Sequence, residues 1–427
     1  MRKIFVLGVI LITSRACYSQ QSDKTINAAE VERIERVLAS DDMQGRKTFS
    51  PGIDKAAAFI ADEFKKAGLQ PVNGNSYFQE FFGIRKKFIS ASGTLNGKPV
   101  EEKNIVGLTA KENLTVDNSS TFEKIVVGPK DTLNVALTKI WNSGKNYIFF
   151  VDTAHTRIFN NYKRSRDGFP NPTNVVLVLT TETVDKYSVD FKQTITQLPL
   201  KNVVGIIPGK SKKDEIVIFS GHYDHLGIGK PNAAGDSIYN GANDDAAGTT
   251  AVIMLANHFA KEKNNERTLV FAAFTGEEVG GFGATYFSKQ YEPGKVIAMF
   301  NIEMIGTESK WGTNSAYITG YERTNMGDIL QKNLEGSQFK FYPDPYPTQN
   351  LFFRSDNATL ARLGVPAHTI STSKMDSEKF YHTQEDEVET LDFNNMAEII
   401  KAIAISSKSI IAGTDTPTRV DTKSLVR

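Results

Sequence analysis

The chain has 427 residues, with 50 Lys and Arg against 49 Asp and Glu, for a net charge of +1. So balanced a chain has no basic surplus to recruit nucleic acid or another polyanion. At this length it can bury a large core and divide into more than one unit. Its one cysteine, Cys17, supports no disulfide framework, so core packing must hold the fold.

The first residues read as a secretory signal, 1–19. Arg2 and Lys3 form a basic start, and 4–12 form an apolar core too short to span a bilayer. Cleavage after Ser19 would leave small residues, Ser19 and Cys17, at the usual sites, which implies a secreted or periplasmic protein. A lipid anchor on Cys17 is the lesser alternative, because Ser14 and Arg15 make a poor lipobox. No later segment is apolar enough to be a transmembrane span.

Residues 20–85 read as the N-terminal part of the main domain. An amphipathic helix is predicted over 27–39, with Val31, Ile34 and Leu38 on one face. A second runs over 53–67 and is closed by Gly68, and a strand follows over 77–82. From 86 to 198 the long helical patterns stop. Short β-like runs at 125–127, 147–151 and 175–179 are separated by turn-rich segments, so this stretch reads as a β-rich insertion of unknown role. From 199 to 412 strands and helices alternate. Strands are predicted over 202–207, 215–219, 268–274, 295–302 and 367–370, and helices over 246–258, 282–290, 326–334, 358–363 and 394–411. This is the signature of an α/β fold with a mostly parallel central sheet flanked by helices. The polar tail, 413–427, reads as mobile.

The chemistry gathers at predicted strand ends. His222 and Asp224 follow the run Glu215–Phe219, and Asp244 and Asp245 open the helix after it. Glu277 and Glu278 follow the next strand, Glu303 the one after, and His382 lies on a late loop. In open α/β sheets such ends share one crevice. Burying these carboxylates and imidazoles unpaired would cost several kcal/mol for each charge. A divalent ion removes that cost, and this donor mix suits zinc.

The motifs Gly221-His222-Tyr223-Asp224, Asn243-Asp244-Asp245, Gly276-Glu277-Glu278, Asn301-Ile302-Glu303 and Tyr381-His382-Thr383 occur in an order that resembles the secreted zinc aminopeptidases related to glutamate carboxypeptidase II and bacterial leucyl aminopeptidases. The resemblance implies a zinc-exopeptidase-like fold and two Zn2+ ions bridged by Asp244. His222 and Glu303 would complete one site, and Glu278 and His382 the other. Glu277 would be the general base that deprotonates a metal-bridging water to hydroxide and later protonates the leaving amine. Asp224 would fix the His222 tautomer, and Tyr381 would hydrogen-bond the tetrahedral oxyanion. The Asp244–Asp245 peptide would be cis, as in relatives. Glu303 departs from the aspartate common in that family, and Ser355-Asp356-Asn357 departs from its Ser-Asp-His.

The implied reaction is removal of N-terminal residues from peptide substrates. Alternatives on the same fold are a single-zinc glutaminyl cyclase, a dipeptidase, a carboxypeptidase holding a C-terminal carboxylate with Arg323 or Arg354, and a non-catalytic binding module. Among the remaining histidines, His225 reads as a loop or supporting residue rather than a ligand, His258 and His368 as structural, and His155 has no assignment. Asp386 either orients the His382 loop or is exposed. Trp311 and Phe300 could line a specificity pocket, with core packing favoured for Phe300.

Overall fold

The strand Lys212–His222 carries the run Ile216-Val217-Ile218-Phe219, which has no polar face because both its sides are covered. In the computed structural model, which describes residues 24–164 and 167–425, it is central to a mixed sheet. The expected signal segment and Cys17 lie outside the described residues. Among the described residues no helix is long and apolar enough to cross a membrane. The chain divides into two units, Met1–Phe81 with Leu200–Arg427, and Phe82–Pro199.

In the first unit we label the strands β1 (the end of Tyr187–Ile207), β2 (Lys212–His222), β3 (Arg267–Phe274), β4 (Val296–Ile302), β5 (Ser315–Ile318), β6 (Lys340–Pro343) and β7 (Ala367–Ser371). Their order is β6-β5-β7-β4-β2-β3-β1. The core of the sheet is parallel: β2 pairs in parallel with β3 and β4, and β4 with β7. Antiparallel pairs, β3 with β1 and β5 with β7, lie toward the two edges. The short strands β5 and β6 were not anticipated. Four residues each are too few to show a period, and pairing rather than propensity places them.

Alternate residues of the central strands feed two separate cores. Val217, Phe219, Phe271 and Phe300 pack on one side with the helices α1 (Ala28–Leu38), α2 (Pro51–Ala67), α3 (Ala247–Glu262) and Phe393–Ser406. Ile218, Val270, Phe274 and Met299 pack on the other with Phe282–Ser288 and Asn357–Ala361. Phe219 stacks on Phe300, Phe271 and Phe259 with ring centres 4.9, 5.5 and 5.5 Å apart, so Phe300 is core. Removing a ring so placed costs roughly 3–5 kcal/mol. Asn27 caps α1 by accepting from the Glu30 N–H, and Gly68 ends α2 in the left-handed region at φ +79°.

The tail does not behave as expected. Arg267, itself buried, donates to the carbonyl of Asp415 and the hydroxyl of Thr416. Arg419 donates to the Val296 carbonyl, and Val420 is buried. Polar composition suggested mobility, but these residues spend their polarity on internal hydrogen bonds.

The second unit is less purely β than its sequence suggested. Its sheet orders Ile105–Leu108, Asn174–Leu179, Asn146–Val151 and Glu123–Val127, the last three mutually parallel. Parallel neighbours need crossovers, and the helices Leu133–Ile140 and Thr156–Tyr162 lie in those connections. Both are too short to show a persuasive helical period. Leu133, Leu137 and Phe159 cover one face of this sheet, with Phe149 and Leu177. Val116, Val189 and Phe191 pack with Ile148 and Val176 of the other.

Candidate metal centre

The parallel register aligns the site. His222 ends β2 opposite Phe274 of β3, and Ser220 pairs with Asn301 of β4. Glu303 comes one residue beyond the end of β4 on one side of β2, and Glu277 and Glu278 come three and four residues beyond the end of β3 on the other. The loop Gly241–Ala246 then leads into α3. Gly241 lies at φ +58°, and a Cβ there would strike the Asp244 carbonyl and the His225 ring, so only glycine fits. The Asp244–Asp245 peptide is cis.

Asp244 is the hub. Its Oδ1 is 3.3 Å from His222 Nε2 and its Oδ2 is 3.2 Å from His382 Nε2. His382 Nε2 is also 3.2 Å from Glu278 Oε1. Two groups offer ligand atoms within 4.8 Å of one another, His222 with Asp244 and Glu303, and His225 with Asp244 and Glu278. The five residues expected to bind metal thus share one crevice at the carboxyl ends of the strands.

Supporting bonds hold these groups in place. His222 Nδ1 lies 3.1 Å from the Asp224 backbone carbonyl but 3.9 Å from its carboxylate. A carbonyl only accepts, so Nδ1 carries a proton, and Nε2 is the nitrogen that faces Asp244 and is left to bind a cation. Asp224 therefore orients the ring through its main chain. Its carboxylate accepts from Thr48 Oγ1 and from the N–H groups of Glu277 and Glu278 at 3.0, 3.1 and 3.3 Å, pinning the turn that carries both glutamates. Asp386 is buried and accepts from the N–H groups of Asn243 and Asp244 at 2.8 and 3.0 Å, so it fixes the Asp244 loop. Asp245 accepts from His222, Gly248 and Met304 N–H groups, tying β2, α3 and the end of β4 together. Tyr381 stacks on His382 with ring centres 3.9 Å apart.

Arg46 organises the same region from behind. It is fully buried, and its guanidinium donates to the carbonyls of Tyr223, Leu38, Asn240 and Gly241. One planar cation thereby joins the segment after His222 to the segment before Asp244.

Negative charge exceeds positive in the crevice. Burial alone would lower the His222 imidazole, but its bond to Asp244 and the charges of Asp245 and Glu277 hold it well above its usual range. Bonds to Asp244 and Glu278 push His382 up to about 10. Burial raises Glu303 to about 7 and holds the Glu277 carboxyl well above the usual carboxylate range. Among the described residues Glu303 Oε2 and His225 Nε2 are buried without a hydrogen-bond partner. Buried polar atoms are rarely left so. Converging lone pairs in surplus negative charge fit a divalent cation, and nitrogen with oxygen donors fit zinc.

Other candidates fall elsewhere. His368 bonds the Thr319 carbonyl and the Thr324 hydroxyl, His258 is buried in α3, and His155 bonds the Gly128 carbonyl in the second unit. Arg323 lies over the rings of Phe352 and Phe353, and Trp311 stacks on Tyr342. The role of Arg46 was not read from sequence, and Asp386, expected to orient the His382 loop or to be exposed, is instead buried beneath the Asp244 loop. Only the position of His225 three residues after His222 hinted at its placement.

Residues 202–406 match the model of Peptidase family M28. The chain is related to the M28 peptidases. A probable leucine aminopeptidase of Trichophyton verrucosum is 29% identical over 214 residues, covering 48% of this chain and 56% of that one. The chain thus spans about half the length of the curated relatives it matches. Three solved structures share the fold. An aminopeptidase from Aneurinibacillus has TM-score 0.54 at 17% identity, covering 91% of this chain and 95% of that one. A zinc aminopeptidase from Bacillus subtilis has 0.53 at 16%, covering 92% and 97%. A glutaminyl cyclase from Porphyromonas gingivalis has 0.51 at 11%, covering 91% and 99%. The M28 match covers all of the proposed ligands and Glu277.

Proposed function

We propose that this chain is a two-zinc aminopeptidase that removes N-terminal residues from peptides outside the cytoplasm. The observation that carries the reading is the placement of Asp244, whose two carboxylate oxygens face different imidazole–carboxylate groups. His222, Asp244 and Glu303 would hold one ion, and Asp244, Glu278 and His382 the other. Zinc bound there supplies Lewis-acid polarisation of the scissile carbonyl and lowers the pKa of water to about 7.

The chain's own residues supply the rest. Glu277 is held on a turn pinned by Asp224, and burial raises its proton affinity. That suits a group that takes a proton from the attacking water onto its carboxyl and returns it to the leaving amine. Tyr381 would donate from its hydroxyl to the developing oxyanion. The fungal relative's name, leucine aminopeptidase, supports the substrate class.

The test is hydrolysis of aminoacyl p-nitroanilides with metal content measured in parallel. Activity should vanish with a chelator and return with zinc, and Glu277→Gln should lower kcat by about 10²–10⁴ while keeping its metal. The fold is shared with a glutaminyl cyclase, so N-terminal glutamine cyclisation is the second reading. Cyclase activity with one tightly held zinc would favour it.

A further inference from the structure

We infer that His225 is an additional metal ligand, so that the ion beside Glu278 is gripped by two imidazoles and two carboxylates; this rests on the two-ion reading above. His225 Nδ1 is 3.0 Å from Glu278 Oε1 and 3.9 Å from Asp244 Oδ2. His382 Nε2 is 3.2 Å from each of those same oxygens. His225, Asp244 and Glu278 thus offer ligand atoms within 4.8 Å of one another, and His382 lies against the same two carboxylates.

Three further observations point to a ligand rather than a packed ring. The side chain is wholly buried, Nε2 has no hydrogen-bond partner among the described residues, and Nδ1 faces the carboxylate oxygens of Glu278 and Asp244, which are themselves proposed metal donors. A buried imidazole set between two carboxylates with its other nitrogen unmet is unfavourable unless a cation shares the space they face. The backbone and neighbours also place the ring toward the crevice. The His225 N–H donates to the Arg46 carbonyl at 3.2 Å, the ring meets His382 edge-on at 5.7 Å, and Gly241 leaves it room. Finally, Nε2 meets no acceptor or donor among the described residues, and a neutral ring with its proton there presents the Nδ1 lone pair to the carboxylate side.

The consequence is asymmetry. His222, Asp244 and Glu303 offer three residues to one ion, leaving an open position of the kind zinc uses in catalysis, whereas His225, His382, Asp244 and Glu278 offer four to the other. The His225 ion is then the tightly held one, and the Glu303 ion the exchangeable one.

The experiment is zinc X-ray absorption together with zinc content, on the full chain and on His225→Asn. Loss of affinity alone would not discriminate, because removing a supporting residue also weakens metal binding by about 10–100-fold. The imidazole count does discriminate. We expect the wild type to bind two zinc ions sharing three imidazoles, and the variant to show one ring fewer and to hold one ion at least about 10-fold more weakly. Two ions sharing only two imidazoles in the wild type, or a count unchanged in the variant, would overturn the inference while leaving the two-ion reading intact. A single ion in the wild type would overturn both. The wild-type count decides the question even where the variant does not fold.

Discussion

Replacing Arg46 tests how far one buried cation organises the crevice. Its guanidinium donates four bonds of 2.5–2.9 Å, all to backbone carbonyls. In Arg46→Met those four acceptors lose their donor, and each unsatisfied buried group costs about 1–3 kcal/mol. The gross loss is therefore roughly 4–12 kcal/mol. Against it stands the desolvation of the guanidinium, several kcal/mol, which the variant no longer bears. The net expectation is a destabilisation of about 3–5 kcal/mol, the range for removing one partner from a buried charged network. Arg46→Lys keeps the charge but has three donors on a single point, so it cannot bridge Tyr223 and Gly241 together. It should recover only part of the loss. The assay is urea unfolding of the metal-free protein, read as a shift in midpoint at unchanged slope. A midpoint shift worth less than about 1 kcal/mol in Arg46→Met, well below that range, would refute the reasoning.

Glu35 is wholly buried, and burial pushes it up to about 8 against the pull of Thr250 and Arg46. An acid raised in the folded state withdraws stability as pH climbs from its ordinary value of 4.5 toward 8, and the loss is constant above that. Glu35→Gln should therefore match the wild type near pH 4.5 and exceed it by up to about 5 kcal/mol at pH 9, measured by denaturant unfolding across pH. A gap that does not widen with pH would contradict this. Gly248→Ala places a Cβ against the Ile302 carbonyl and both Asp245 carboxylate oxygens, so it should lower the Tm and weaken zinc binding together. Asp386→Asn can accept from only one of the Asn243 and Asp244 N–H groups, and should weaken metal affinity by about 10-fold or more in calorimetric titration and cost the metal-free protein about 1–3 kcal/mol in denaturant unfolding.

The strand ends were legible because polar residues follow near-continuous apolar runs, as His222 follows Ile216–Phe219 and Glu303 follows 296–302. An α/β sheet brings such ends together whatever the loops between them do. What sequence could not carry was direction. Asp224 and His225 are adjacent, yet one turns its carboxylate beneath the Glu277 turn and the other turns its ring toward Glu278. Nothing in the letters says which. Arg46 was equally opaque, because its partners are main-chain carbonyls, which have no sequence signature. The short strands Ser315–Ile318 and Lys340–Pro343 exist through pairing alone.

The most direct test of the central claim is an anomalous difference map at the zinc edge from zinc-loaded crystals. Two peaks flanking Asp244 are expected, roughly 3.5–4 Å apart, one beside His222 and Glu303 and the other beside Glu278 and His382. A single peak, or density away from Asp244, would contradict the account.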